Sequence, residues 1–139
     1  MLNLVIAVAG IAAGVFLALV FLKAGSFKLK GTKEQFAAAQ WAWAENVPLG
    51  AIRLLGTLQV LGAVGSVLAP LVALVPGFEW AKVFAVAAPA GLALTMLAAA
   101  IMHGVRGELK YTAKSNFSLF ALGVAAAVLN GLVVLPLQF

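Results

Sequence analysis

The chain has 139 residues, 65% of them hydrophobic and only 9% charged, with a formal net charge of +5 and no cysteine. A soluble domain carries roughly 25% charged residues, and one this short buries only about two-thirds of the surface its unfolded chain exposes, so an ordinary water-soluble globule is excluded. The missing thiols exclude disulfides and sulfur-ligated metals, and the positive charge reads as membrane topology rather than as a nucleic-acid footprint.

The first apolar run, Leu2 to Leu22, holds no charged residue, and Asn3 is its one strongly polar side chain. It lacks a basic leader and is too long for the core of a secretory signal, so it reads as an uncleaved first span. Lys23 to Pro48 is the longest connection. Within it, Thr32-Lys33-Glu34-Gln35 fits a capping box, with Thr32 as N-cap. A short helix is expected from Phe36 to Ala44, lying in the interface, because Trp41 and Trp43 favour the headgroup level. Two readings stay open: the segment is only an anchor, or it is a lid over a site.

Leu49 to Val75 is the second span, interrupted by Arg53, by Gln59 and late by Pro70. Val83 to Met102 is the third, with Pro89 expected to bend it. Phe117 to Leu137 is the fourth. Each is long enough, since a spanning helix needs about 20 mostly apolar residues, and no strand-like alternation is present. The expected fold is therefore all-α: a transmembrane four-helix bundle in one domain covering residues 1–139, with a short interfacial helix between spans one and two. Gly10 and Gly14, and then Gly123, Ala127 and Gly131, repeat at four-residue spacing, a pattern that lets helices approach closely in lipid, within one bundle or between copies.

Lys23, Lys28, Lys30 and Lys33 lie between the first two spans, and Arg106, Lys110 and Lys114 between the last two, against Lys82 alone in the middle connection. The positive-inside rule then places both termini outside and the two basic segments in the cytoplasm. One mouth of the bundle thereby gathers Lys28, Arg53, His103, Arg106, Glu108 and Asn116, the last as cap of the fourth span. Gln59 lies about 15 Å deeper, at about 1.5 Å per residue. Polar groups at such depth either bond a neighbouring helix or line a pocket. His103 and Glu108 are the candidates for acid–base work, although a lone histidine at a helix end is more often a dipole partner. Arg53 reads most simply as a snorkelling side chain paired with Glu108 or Glu45. One histidine without cysteine makes no zinc site.

Three stretches carry a family resemblance over nearly the whole chain: Gly25-Ser26-Phe27-Lys28-Leu29 closing the first span; Arg53 to Gly65 with Leu68-Ala69-Pro70; and His103-Gly104-Val105-Arg106-Gly107-Glu108 followed by Asn116. In these the chain resembles the DoxX-like family of small four-span bacterial membrane proteins. Gln59 stands where family members commonly have Glu, which removes a buried acid. The resemblance implies a multi-pass protein of the bacterial cytoplasmic membrane, an accessory subunit near quinone chemistry, with a redox protein as partner and a quinone as the one cofactor. It carries over Lys28, Arg53, Gln59, His103, Glu108 and Asn116 as site residues, beside which Arg106 is a further ligand-binding candidate. Two other readings remain: a scaffold subunit of a larger complex or a homo-oligomer, and a small intramembrane enzyme using His103 and Glu108.

Overall fold

The computed structural model describes residues 1–137. It contains five helices and one 3₁₀ turn, and no strand among the described residues. Helix α1 spans Leu2–Lys30, α2 Lys33–Ala38, α3 Leu49–Val72, α4 Ala81–Val105 and α5 Leu109–Val134, with the 3₁₀ turn at Ala42–Asn46. The four long helices are each long and apolar enough to cross a membrane. Leucines on their outer faces, such as Leu19, Leu61, Leu94 and Leu132, are exposed and meet lipid.

Two helices run further than hydropathy alone suggests. α1 continues through Lys23, Lys28 and Lys30 to Gly31, giving 29 residues and a length of about 43 Å, against about 30 Å for the hydrocarbon core. α5 starts at Leu109, eight positions before the apolar run at Phe117, so the expected second basic loop is mostly helix. The apolar run marks where lipid ends; hydrogen bonding does not stop there, because Lys, Leu and Ala are good helix formers. Asn116 is accordingly not a cap. It lies inside α5 and is buried. The interfacial helix begins where the capping box predicts but is shorter than expected. α2 opens at the Thr32/Gln35 capping box, whose two reciprocal bonds both form, and ends at Ala38.

The bundle packs α1 on α3, α3 on α4, α4 on α5 and α5 back on α1, with little diagonal contact. A central layer of Leu17, Phe21, Ala63, Leu92 and Ala126 fills its middle. A second layer, of Ala69, Ala73, Ala81, Ala85 and Val134, fills the end near the α3–α4 turn. The small residues are spent inside this bundle. A Cβ on Gly14 would stand 2.5 Å from the Ser66 carbonyl, and Gly25 and Gly56 would each meet the other's carbonyl at 2.8 Å. Only glycine lets α1 and α3 approach so closely.

Both internal prolines sit within unbroken helices, and each leaves a carbonyl four residues back without its amide donor. For Pro89 that carbonyl belongs to Ala85, and Asn130 Nδ2 on α5 donates to it at 2.9 Å. For Pro70 it belongs to Ser66, the group Gly14 packs against. In lipid no water would satisfy either.

Candidate functional site

Lys28, Gln59, His103 and Asn116 gather around one cavity toward the end where α1 leaves and α3 enters. A strap of α2 and the 3₁₀ turn closes that end. Phe36, Ala44 and Ile52 form its buried centre, with Phe27, Trp41 and Trp43 packed around them. Phe27 meets Phe36 edge-on at 5.2 Å between centroids and Trp41 at 4.9 Å. The Lys33 ammonium ties the strap down by donating to the Ala44 and Val47 carbonyls.

Beneath the strap lies a cavity of about 610 Å³, a size typical of small-molecule sites. Its walls are mostly apolar: Val20, Phe21 and Ala24 from α1, Leu55 from α3, Met96, Ala99 and Met102 from α4, Leu119 from α5. Leu94 lines it too, although 63% exposed on the outer surface. The cavity therefore reaches the lipid-facing side of the bundle.

Its polar groups sit at the strap end. Lys28 is only 6% exposed. Its Cβ faces Gly56, so its stem runs along the bundle to Gln59, three residues deeper on α3, and Nζ donates to Gln59 Oε1 at 2.9 Å. The same ammonium lies 4.8 Å from the Trp41 ring centre, within cation–π range. Asn116, 7% exposed, presents an amide nitrogen with no hydrogen-bond partner. Thr95, Ser115 and His103 complete the polar part of the wall.

His103 is held by the α4–α5 corner. Gly107, at φ +72, takes the left-handed position that ends α4. The Gly107 amide then bonds the Gly104 carbonyl, and the Glu108 amide bonds the His103 carbonyl at 2.8 Å, which is a Schellman motif. This brings the Glu108 carboxylate back over α4, where it takes His103 Nδ1 at 2.8 Å and Arg106 Nε at 2.9 Å. The hydrogen bond to His103 is the main cause that holds the Glu108 carboxyl below its ordinary value; slight desolvation opposes it, and Arg106 adds to the lowering. A second cavity, of about 400 Å³, lies outside this pair and is lined by Gln40, Trp41, Trp43, Glu108, Tyr111 and again His103. His103, Trp41 and Trp43 thus stand between the two spaces.

Of the residues singled out from sequence, Lys28, Gln59, His103 and Asn116 line the inner cavity, and Glu108 lines the outer one. Arg53 and Arg106 line neither. Arg53 pairs with no carboxylate among the described residues; it is exposed and donates to the Leu29 carbonyl, closing an open group in the last turn of α1. Thr95, Met102 and Ser115 join the wall without a sequence signal, because only the tilt and packing of α4 and α5 decide which of their faces borders the space. No group of three or more His, Cys, Asp or Glu side chains comes together as a metal site among the described residues.

A protein-family model described as the DoxX-like family matches residues 11–129. The chain belongs to the DoxX-like family. The matched stretch takes in Gln59, the inner cavity and the His103–Glu108 corner. No curated protein and no solved structure matches the chain.

Proposed function

We propose that this DoxX-like protein is an accessory subunit of a membrane redox system and binds a quinone or another lipid-like molecule inside its bundle. One observation carries the reading: a cavity of about 610 Å³ that is apolar along its length, polar at one end and open toward lipid. An amphipathic molecule fits such a space with its tail along α1 and α4 and its head under the Trp41 strap. The strap serves as a lid in this reading, since Trp41 and Trp43 form the boundary between the inner cavity and the outer one. In this reading the strap end faces the cytoplasm and both termini lie outside, in the cytoplasmic membrane of a bacterium; the basic residues at the strap end support that orientation through the positive-inside rule. The whole chain acts as one domain.

Extraction of the purified protein, followed by absorbance and mass spectrometry, tests the reading. A stoichiometric quinone or isoprenoid is expected. If none co-purifies and no quinone analogue binds on titration, the reading fails.

A second reading is acid–base work at the cavity mouth, favoured by the 2.8 Å contact between His103 and Glu108. His103→Ala should then change how binding of a quinone analogue depends on pH; an identical pH profile would sink it. The scaffold reading rests on the absence of a catalytic motif, while Gly10, Gly14 and Gly123 pack within the bundle.

A further inference from the structure

We propose that the inner cavity selects a head group that accepts hydrogen bonds and carries no positive charge, with Lys28 Nζ as its principal donor and the Asn116 amide as a second. The proposal rests on the reading of this cavity as a ligand site and adds the chemistry of what enters it. A quinone carbonyl and a long-chain carboxylate share that chemistry.

The reasoning begins with charge. The Lys28 ammonium has three N–H donors. One goes to Gln59 Oε1, and the Trp41 ring face lies beside it. No carboxylate comes within salt-bridge distance of it among the described residues. The cavity wall contains no Asp or Glu at all. Glu108 lines the outer cavity and is already shared between His103 and Arg106. His103 is neutral or positive in its two protonation states, so it never supplies the missing counter-charge. Burying a cation in a lipid-embedded site without a partner is costly. An acceptor or anion entering the cavity would relieve that cost, and an ammonium head would add to it.

Asn116 supplies the independent observation. Its amide nitrogen is buried and unpartnered, although buried amides are almost always bonded. A structural amide would have been paired by a neighbouring helix, as Asn130 is through Ala85. An acceptor on the ligand would complete it.

The test uses the full chain in detergent or nanodiscs and three probes: a short-tailed benzoquinone, palmitate, and hexadecylamine, which has palmitate's chain length with an ammonium head. The quinone and palmitate should compete for one site, and the amine should bind weaker by roughly tenfold or more, the scale of one hydrogen bond to a charged group. Lys28→Met should erase this preference while leaving tail-driven binding. Asn116→Leu should weaken the quinone severalfold and leave the melting temperature of the ligand-free protein equal or higher, because an unpaired amide has been removed. An amine that binds as tightly as palmitate overturns the head-group assignment while leaving the cavity a ligand site. Palmitate binding without the quinone supports the assignment and removes the quinone reading. Failure of all three probes overturns both. If Asn116→Leu lowers the melting temperature as well as binding, Asn116 is a packing residue and its part in the proposal falls.

Discussion

Pro89 takes one amide hydrogen out of the middle of α4, and Asn130 answers for it by donating to the Ala85 carbonyl from the next helix. Asn130→Leu keeps the branched shape and leaves that carbonyl bare. The expected loss is about 1–3 kcal/mol, the cost of an unmet buried group, read as a lower melting temperature in detergent. The companion change Pro89→Ala restores the helical donor, so Asn130→Leu should cost less in that background. Glu108 gives a pH dependence. Its carboxyl titrates below its ordinary value in the folded protein, chiefly through the His103 hydrogen bond. Its contribution is therefore present above the unfolded value of about 4.3 and is lost as pH falls through the folded value. Melting temperatures of the parent and of Glu108→Gln should differ most near neutrality and converge in acid below about pH 4. A gap that widens in acid would contradict this.

At the scale of elements, the strap and the α4–α5 corner use the same device with different residues. Each helix ends in a Schellman pair: Trp41 to Phe36 and Gln40 to Ala37 after α2, Glu108 to His103 and Gly107 to Gly104 after α4. Gly107 fills the left-handed position freely, but Gln40 holds φ at 62° with a side chain attached. That costs a non-glycine residue about 1–2 kcal/mol, and glycine gives back part of the gain as entropy. Gln40→Gly should therefore stabilise the protein by about 0.5 kcal/mol, detectable by thermal unfolding. The α1–α3 pair makes the opposite demand. Gly25→Leu places a side chain where the Gly56 carbonyl stands 2.8 Å from a single added Cβ. It should push the helices apart, loosen the Lys28–Gln59 bond and lower stability by several times the Gln40 effect. The capping box of α2 was legible in four letters, because its bonds join residues three apart. The α1–α3 approach was not, because the run around Gly56 gives no hint of which glycine across the bundle it will meet.

For the molecule as a whole, membrane orientation has a direct measurement. The native chain has no cysteine, so single substitutions label without background. Lys110→Cys at the strap end and Glu79→Cys at the α3–α4 turn should react from opposite sides of the membrane, with Lys110→Cys shielded from an impermeant reagent added outside intact cells. Reversed labelling would put the strap outside and remove the positive-inside argument.

Sequence by itself determined that the chain lives in lipid, that it crosses four times, and where its helices can bend or begin. Those properties follow from composition and from contacts within a few residues. It also named Lys28, Gln59, His103 and Asn116 as polar groups needing an explanation. Only the tertiary structure decided what each does. Asn116 moved from a helix cap to a buried wall because α5 continues through polar residues that hydropathy reads as loop. Arg53, with the same apparent claim to the site, turned to the α1 carbonyls because its face of α3 points out of the bundle. Lys28 gained its place through a glycine contact two helices wide. Depth and polarity are properties of one helix and can be counted along it, whereas a cavity belongs to four helices at once and exists only after they have packed.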